Sequence, residues 1–409
     1  MRVIYLHQNF RTPQMSGGTY PYEMARRLVR RGHEVHVVTA ERETLSGGWV
    51  QTEEAGIHVH WYPVAYSNHM GFKRRICAFA KFAWLASWKA ASLPGDVIWA
   101  CSPPLTTAIP AVYASRKKSI PMVFEVADLW PETAIAMGAL KRRPAIAAAR
   151  RLERFAYQNA AHIVAMSPQM KAGIASTGYP REKITVIPNG CDPQLFRVPE
   201  QLGRDFRNRH DWLGNRPLVA YTGTLGLVNG VDYLARLAAV VRKRDPEIRF
   251  LTVGTGGAEE TVRREAARLG VLDRNFLMHP PIPKSQMPAV LSAADVATST
   301  VIDREALWAN SANKVFDAMA ASRPIVINHE GWFADLIRQW DCGLVLPPNE
   351  LELAADTLVG ALRDPQWLVR AGAAAWRVGE KLFARESLVD ALESIFTSLV
   401  PTRRRGLAA

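Results

Sequence analysis

Short apolar runs alternate with segments of helical period along almost the whole chain. Residues 2–6, 34–39, 97–101, 121–126, 162–166 and 184–188 are brief runs rich in Val, Ile and aromatic side chains, and they predict buried parallel strands. Between them, 20–31, 72–93, 105–118, 144–160 and 167–176 carry the spacing of helices. A second series follows, with strands expected at 218–222, 248–253, 295–299, 324–328 and 343–346. Its helices are expected at 231–244, 258–269, 285–294, 311–321 and 350–362. Such alternation predicts an α/β fold of two doubly wound, Rossmann-like domains, with strand C-termini and binding loops gathered around a central cleft.

The polar, proline-punctuated stretch over 193–216 marks the break between the two series. The chain therefore divides into an N-terminal domain (1–195), a linker (196–216), a C-terminal domain (217–384) and a final segment (385–409). That last segment holds a helix near 385–400, open to packing on either half, and a basic tail at Arg403–Arg405 that reads as a solvated end.

Composition changes this picture little, but charge adds to it. With 48% hydrophobic and 22% charged residues, the 409-residue chain is globular rather than disordered. A net charge of +13 calls for an anionic partner: nucleic acid, an acidic membrane or a phosphorylated ligand. No nucleic-acid reading module is recognisable, which counts against the first. Cys77, Cys101, Cys191 and Cys342 are scattered, which argues against a disulfide framework or zinc site and for a reducing compartment. No apolar run reaches the ~18 residues of a membrane span, and MRVIYLHQNF lacks the apolar core of a signal peptide. A soluble or peripheral protein is expected.

Four segments carry candidate chemistry. Ser16-Gly17-Gly18-Thr19 precedes a helix opening at Tyr20; it reads equally as a flexible turn or as a loop admitting a phosphate. In Asn310-Ser311-Ala312-Asn313-Lys314-Val315-Phe316-Asp317, Ser311 is placed to cap a helix, with Lys314 in its first turn and Asp317 one turn on. A cation there is unfavourable unless an anion joins it, so a diphosphate at Lys314 and a ribose at Asp317 stand against a plain surface pair. Asp128 and Glu132 follow a buried strand at the end where α/β ligand sites form, and each is a candidate acid, base or sugar-hydroxyl partner, Glu132 alternatively only starting a helix. Gly254-Thr255-Gly256-Gly257 lacks the full dinucleotide spacing and reads as a tight turn.

The helix at 72–93 places Phe72, Ile76, Phe79, Ala83 and Ala86 on one face, with Arg74, Lys81, Trp84 and Trp88 opposite. Tryptophan mixed with cations suits an anionic lipid surface, and packing against a neighbouring helix is the other reading.

The ordered set SGG, IPNGCD, YTGTLG, VGTGG and NSANKVFDAMAASRPIVI resembles the GT-B glycosyltransferases of family 4. FEVADLWPE and NSANKVFDAMA look more like the WbuB-like branch, associated with bacterial O-antigen, capsule and exopolysaccharide assembly. The resemblance implies a GT-B fold and a retaining transfer from a nucleotide sugar, UDP by preference and GDP left open, with no metal and no further cofactor. It also implies a polyprenyl-diphosphate-linked saccharide as acceptor, met in the cytoplasm at the inner face of the bacterial membrane. By position it assigns donor ribose to Asp317, diphosphate to Lys314 with Asn313 and Ser311 beside it, donor phosphates to Gly17 and Gly18, and the aspartate of a His-Asp pair to Asp128. The sequence departs from the family pattern where Ala309 replaces the first acid of E-x7-E, leaving Glu305 as candidate substitute. Thr224 and Asn229 replace a diphosphate-binding Arg and Lys, and Ala127 replaces the histidine. A nucleotide-sugar epimerase, a non-catalytic sugar-binding subunit and, more remotely, a nicotinamide oxidoreductase are the rival readings.

Overall fold

The computed structural model describes residues 1–41, 47–64 and 70–400. The chain forms two compact units. One takes Met1–Phe10, Pro21–Pro188 and the segment from Glu386; the other takes Arg11–Tyr20 and Asn189–Arg385.

The first unit is built on eight strands: β1 (Arg2–Leu6), β2 (Glu34–Glu41), β3 (Val50–Glu54), β4 (Ile57–Pro63), β5 (Val97–Ser102), β6 (Met122–Val126), β7 (His162–Ala165) and β8 (Ile184–Val186). Their order is β3-β4-β2-β1-β5-β6-β7-β8, parallel throughout except for β3 against β4. The helices are α1 (Tyr20–Arg30), α2 (Phe72–Ser92), α3 (Ala108–Lys118), α4 (Glu132–Ala136), α5 (Arg143–Asn159) and α6 (Pro168–Ser176). Six of these strands follow the apolar runs of the sequence. The β3–β4 hairpin does not, because β3 is a largely exposed edge of sequence VQTEE with no core side to write into its pattern. Ala55 and Gly56, both at positive φ, make its two-residue turn.

The second unit carries β9 (Leu218–Thr222), β10 (Arg249–Val253), β11 (Phe276–His279), β12 (Val296–Ser299), β13 (Ile325–Ile327) and β14 (Gly343–Val345), all parallel, in the order β11-β10-β9-β12-β13-β14. Around them run α7 (Pro193–Phe196), α8 (Glu200–Asn208), α9 (Asp232–Arg244), α10 (Glu259–Arg268), α11 (Met287–Ala293), α12 (Asn313–Ala320), α13 (Trp332–Trp340), α14 (Leu351–Leu362) and α15 (Pro365–Phe383). The expected linker at 196–216 is not an open connection. It contains α8, whose buried Gly203 lies against the backbone of Ser292, while Arg207 pairs with Asp295 at 2.9 Å and Leu213 is fully buried. Polar residues dominate its exposed arc and hid the helix.

The last helix, α16 (Arg385–Leu399), belongs to the first unit. Val389, Leu392 and Phe396 are fully buried, with the Phe396 ring 6.0 Å from that of Trp99. Arg31 reaches Glu393 at 2.8 Å and Asp390 at 2.6 Å. Arg385 itself stays with the second unit, bonded to the Asp192 carboxylate at 2.8 Å and to the Gly190 carbonyl at 2.6 Å. The basic tail at Arg403–Arg405 lies outside the described residues. Among those described, no helix is long and apolar enough to cross a membrane.

Candidate functional site

The second unit gathers most of the donor-side residues at the C-terminal ends of its parallel strands. The 11–20 loop, expected in the N-terminal domain, groups here: Lys284 and Ser285 donate backbone N–H groups to the Met15 and Pro13 carbonyls at 3.4 and 3.3 Å. Gly17 sits at φ +117°, and a Cβ on Gly18 would stand 2.9 Å from the Asn313 amide nitrogen. Glycine is what lets this loop meet the start of α12.

Ser311 does not cap α12. The helix opens after Ala312 with no side-chain cap, while the Ser311 hydroxyl accepts from the Asn189 N–H at 3.3 Å and its carbonyl takes the Asn189 amide. A buried asparagine with two donors to satisfy outcompetes the cap. Lys314 nonetheless lies in the first turn, with Nζ 4.7 Å from the centre of the Tyr221 ring and its Cε against Gly223. Burial lowers its pKa to about 8, opposed by the charge of Asp317. Among the described residues no carboxylate stands within ion-pair distance of Nζ, because Asp317 is bonded to Lys284 instead. Lys284 is nearly buried, its Nζ 5.1 Å from the Phe196 ring centre. The Lys314–Asp317 surface pair is thus replaced by two unequal cations, one neutralised and one not.

Thr224 and Asn229 brace one another. The Thr224 carbonyl accepts from the Tyr221 hydroxyl at 2.8 Å and the Asn229 amide at 2.7 Å, so the Asn229 side chain is spent on its own loop. The Gly254 turn stacks beneath, where a Cβ would fall 1.9 Å from the Gly223 carbonyl oxygen. Close packing of neighbouring loops accounts for that glycine. Glu305 is exposed, Ala309 buried.

In the first unit, Asp128 follows β6 and accepts from the Thr133 hydroxyl at 2.7 Å. Burial holds its pKa above the ordinary carboxylate value, against the lowering effect of Thr133 and the Leu129 N–H. Glu132 opens α4, is exposed and pairs with Arg150 at 3.1 Å.

Two family models divide most of the chain between them. Residues 17–190 match the glycosyl transferase 4-like domain, and residues 216–364 match glycosyl transferases group 1. A glycosyltransferase model thus matches each half of the chain, and the chain is a GT-B glycosyltransferase. It is 24% identical over 353 residues to WcaI of Escherichia coli (strain K12), a glycosyl transferase ascribed to colanic acid biosynthesis, covering 81% of this chain and 84% of that one. It is 26% identical over 211 residues to a GDP-mannose-dependent phosphatidylinositol monomannoside mannosyltransferase of Mycolicibacterium smegmatis, spanning 51% of this chain and 55% of the relative. The crystal structure of Anabaena HepE with UDP and glucose superposes with a TM-score of 0.73 at 18% identity, over 98% of this chain and 100% of that one. That likeness bears on the fold, which is GT-B.

Three buried titratable residues escaped the sequence reading. Lys284 looked like a loop lysine, and its only signal was the apolar setting Pro281-Ile282-Pro283 ahead of it. His329, two residues beyond β13, is buried. Glu153 was visible as a charge on the same arc of α5 as Ala156 and Tyr157; it is buried, hydrogen-bonded to Tyr157 and raised to about 7 by burial. Among the described residues no group of three or more His, Cys, Asp or Glu side chains is placed to hold a metal ion.

On α2 the inward arc is Ala78, Phe82, Ala83, Ala86 and Ala90, small enough for close approach to α3. Ile76, expected on the apolar face, is 48% exposed; it joins Trp84 (67%) and Trp88 (53%) on the outer side with Arg74 and Lys81. From α3, Ile109 and Tyr113 extend this ridge, with Tyr113 5.5 Å from Trp88 and Lys117 Nζ 5.8 Å above the Trp88 ring.

Proposed function

We propose that this glycosyltransferase moves a sugar from a nucleoside-diphosphate sugar, UDP-linked by preference, to a polyprenyl-diphosphate-linked saccharide, with retention at the anomeric carbon. One observation carries the donor reading: the Lys314 ammonium, half-buried in the first turn of α12 beside the strand-end loops, has no carboxylate within ion-pair distance among the described residues. A diphosphate supplies that charge, and Asp317, oriented by Lys284, accepts from ribose hydroxyls. As the glycosidic C–O bond breaks, negative charge grows on the leaving phosphate oxygen. Lys314 and the N–H groups of α12 then stabilise the transition state more than the ground state. The leaving oxygen takes the acceptor hydroxyl proton while that hydroxyl bonds to the anomeric carbon on the same face, so no enzymic nucleophile and no metal are invoked. Asp128, with its raised pKa, is the residue of the first unit proposed to hold a sugar hydroxyl. HepE, solved with UDP and glucose, and WcaI, ascribed to colanic acid biosynthesis, support a nucleotide-sugar donor and a cell-surface polysaccharide product.

The exposed Ile76-Trp84-Trp88-Ile109-Tyr113 ridge with its flanking cations supports docking on the anionic inner face of the bacterial membrane, where such an acceptor resides.

Thermal-shift measurement against UDP, GDP, ADP and NAD, each as free nucleotide and, where one exists, as nucleotide sugar, tests the donor reading. Stabilisation by one nucleoside diphosphate, lost in Lys314→Ala, supports it. Indifference to all of them moves the assignment to a non-catalytic sugar-binding subunit. Product analysis by NMR then separates transfer from epimerisation and reads the anomeric configuration.

A further inference from the structure

His329 follows β13, next to β12 in the sheet and two places from β9, so it shares the strand-end rim with Gly223 and Thr300. The loop is anchored on one side of His329 and the ring is held on the other. Asn328 brackets the Val301 backbone, its Oδ1 accepting at 2.9 Å and its Nδ2 donating at 3.0 Å. His329 Nδ1 lies 2.7 Å from the Glu330 carbonyl oxygen. A carbonyl only accepts, so the proton of the neutral ring must sit on Nδ1 and Nε2 is left as a bare acceptor. Burial lowers the pKa of the ring and keeps it neutral, aided by the charge of nearby Lys314. The residue is 2% exposed, and among the described residues Nε2 has no hydrogen-bond partner.

An enclosed acceptor without a donor costs about 1–3 kcal/mol, and native structures rarely tolerate one without use. What would satisfy it is an O–H or N–H donor. A phosphate oxygen carries no proton at neutral pH and is itself an acceptor, so it does not fit. A hydroxyl does. Lys314 is the charged neighbour that His329 and Asp317 have in common. If Lys314 holds the diphosphate and Asp317 the ribose, the position left for His329 is the other end of the diphosphate, where the transferred sugar hangs.

We propose that His329 Nε2 accepts a hydrogen bond from one hydroxyl of the donor's transferable sugar and so helps to select that sugar. The proposal rests on the nucleotide-sugar reading above. His329 is a specificity-determining contact, distinct from the charge-neutralising role of Lys314.

Two substitutions separate the ring's functions. His329→Asn keeps a donor for the Glu330 carbonyl and deletes the Nε2 acceptor; His329→Gln offers a side-chain oxygen near the Nε2 position. Affinities are measured by calorimetry for UDP, UDP-glucose, GDP and GDP-mannose, together with the monodeoxy analogues of whichever sugar nucleotide the wild type prefers. We expect His329→Asn to weaken that sugar nucleotide about tenfold and to leave the matching nucleoside diphosphate unchanged, with His329→Gln recovering part of the loss. One monodeoxy analogue should bind the wild type as weakly as the parent binds His329→Asn, and should bind both proteins alike. Equal weakening of diphosphate and sugar nucleotide, or no weakening of either, overturns the assignment to the sugar while the donor reading stands. A wild type that binds none of the four nucleotides overturns both.

Discussion

Lys284 Nζ donates to Asp317 Oδ2 across 33 positions of sequence, and both side chains are largely shielded, at 10 and 16% exposure. The pair fixes the direction of the Asp317 carboxylate on Lys284, so that among the described residues Lys314, in the first turn of α12, has no ion-pair partner even though it feels the charge of Asp317.

Breaking that pair should be costly. Lys284→Met leaves a mostly buried carboxylate alone, with an expected loss of about 3 kcal/mol in urea unfolding. Removing both charges, as Lys284→Met with Asp317→Leu, should recover most of it. Losses that simply add in the double variant would show that the two residues are not coupled.

The Lys314 ammonium titrates near pH 8, within reach of ordinary assays. Its charged form is the one that binds phosphate, so nucleoside-diphosphate affinity should be flat below about pH 7 and weaken as pH rises through 8, by roughly tenfold at pH 9. Lys314→Arg should flatten that profile. Lys314→Ala should cut turnover by about 10²–10³ while the melting temperature holds or rises. A wild-type affinity that is level from pH 7 to 9 would remove the lysine from the phosphate site.

A histidine pair makes the first unit acid-sensitive. His36 Nδ1 and His60 Nε2 stand 3.3 Å apart on β2 and β4, and Glu34 holds the far side of His36 at 2.7 Å. Burial, then the charges of Lys89, His36 and His58, pull His60 down to about 3. As pH falls through 6.5 the unfolded chain takes up a proton that the folded ring refuses. Stability is therefore full above about pH 6.5 and declines below it, by up to about 1.4 kcal/mol per pH unit. Urea midpoints at pH 7, 6 and 5 should show that slope, and His60→Phe should reduce it.

The sequence carried the strand–helix alternation because a strand buried on both faces must be apolar throughout, and 2–6 or 218–222 have no other reading. It hid β3 and α8, where one face is solvent and the apolar minority is too thin to show a period. Lys314 and Asp317 were legible from their place at a helix start. Lys284, the partner of Asp317, was not, and nor was His329, since both acquire meaning only when strands distant in sequence set their loops side by side. Asn229, which stands where the resemblance puts a diphosphate lysine, directs its side-chain amide to the Thr224 carbonyl of its own loop.

Trp84 and Trp88 are more than half exposed, so changing both to Ser should leave folding within about 0.5 kcal/mol of wild type. Binding to vesicles of phosphatidylglycerol and phosphatidylcholine should fall at least tenfold, and the wild type should bind phosphatidylcholine alone weakly. Undiminished flotation of the double variant would place the lipid contact elsewhere.

The position of α16 sets the order in which this molecule can be completed during synthesis. Every residue of the second unit has been synthesised once Arg385 is added, but the first unit still lacks Val389, Leu392 and Phe396, which seal the core beside Trp99. The strands made first are therefore finished last, and the opening half of the protein must wait, with apolar surface uncovered, through the translation of nearly two hundred intervening residues.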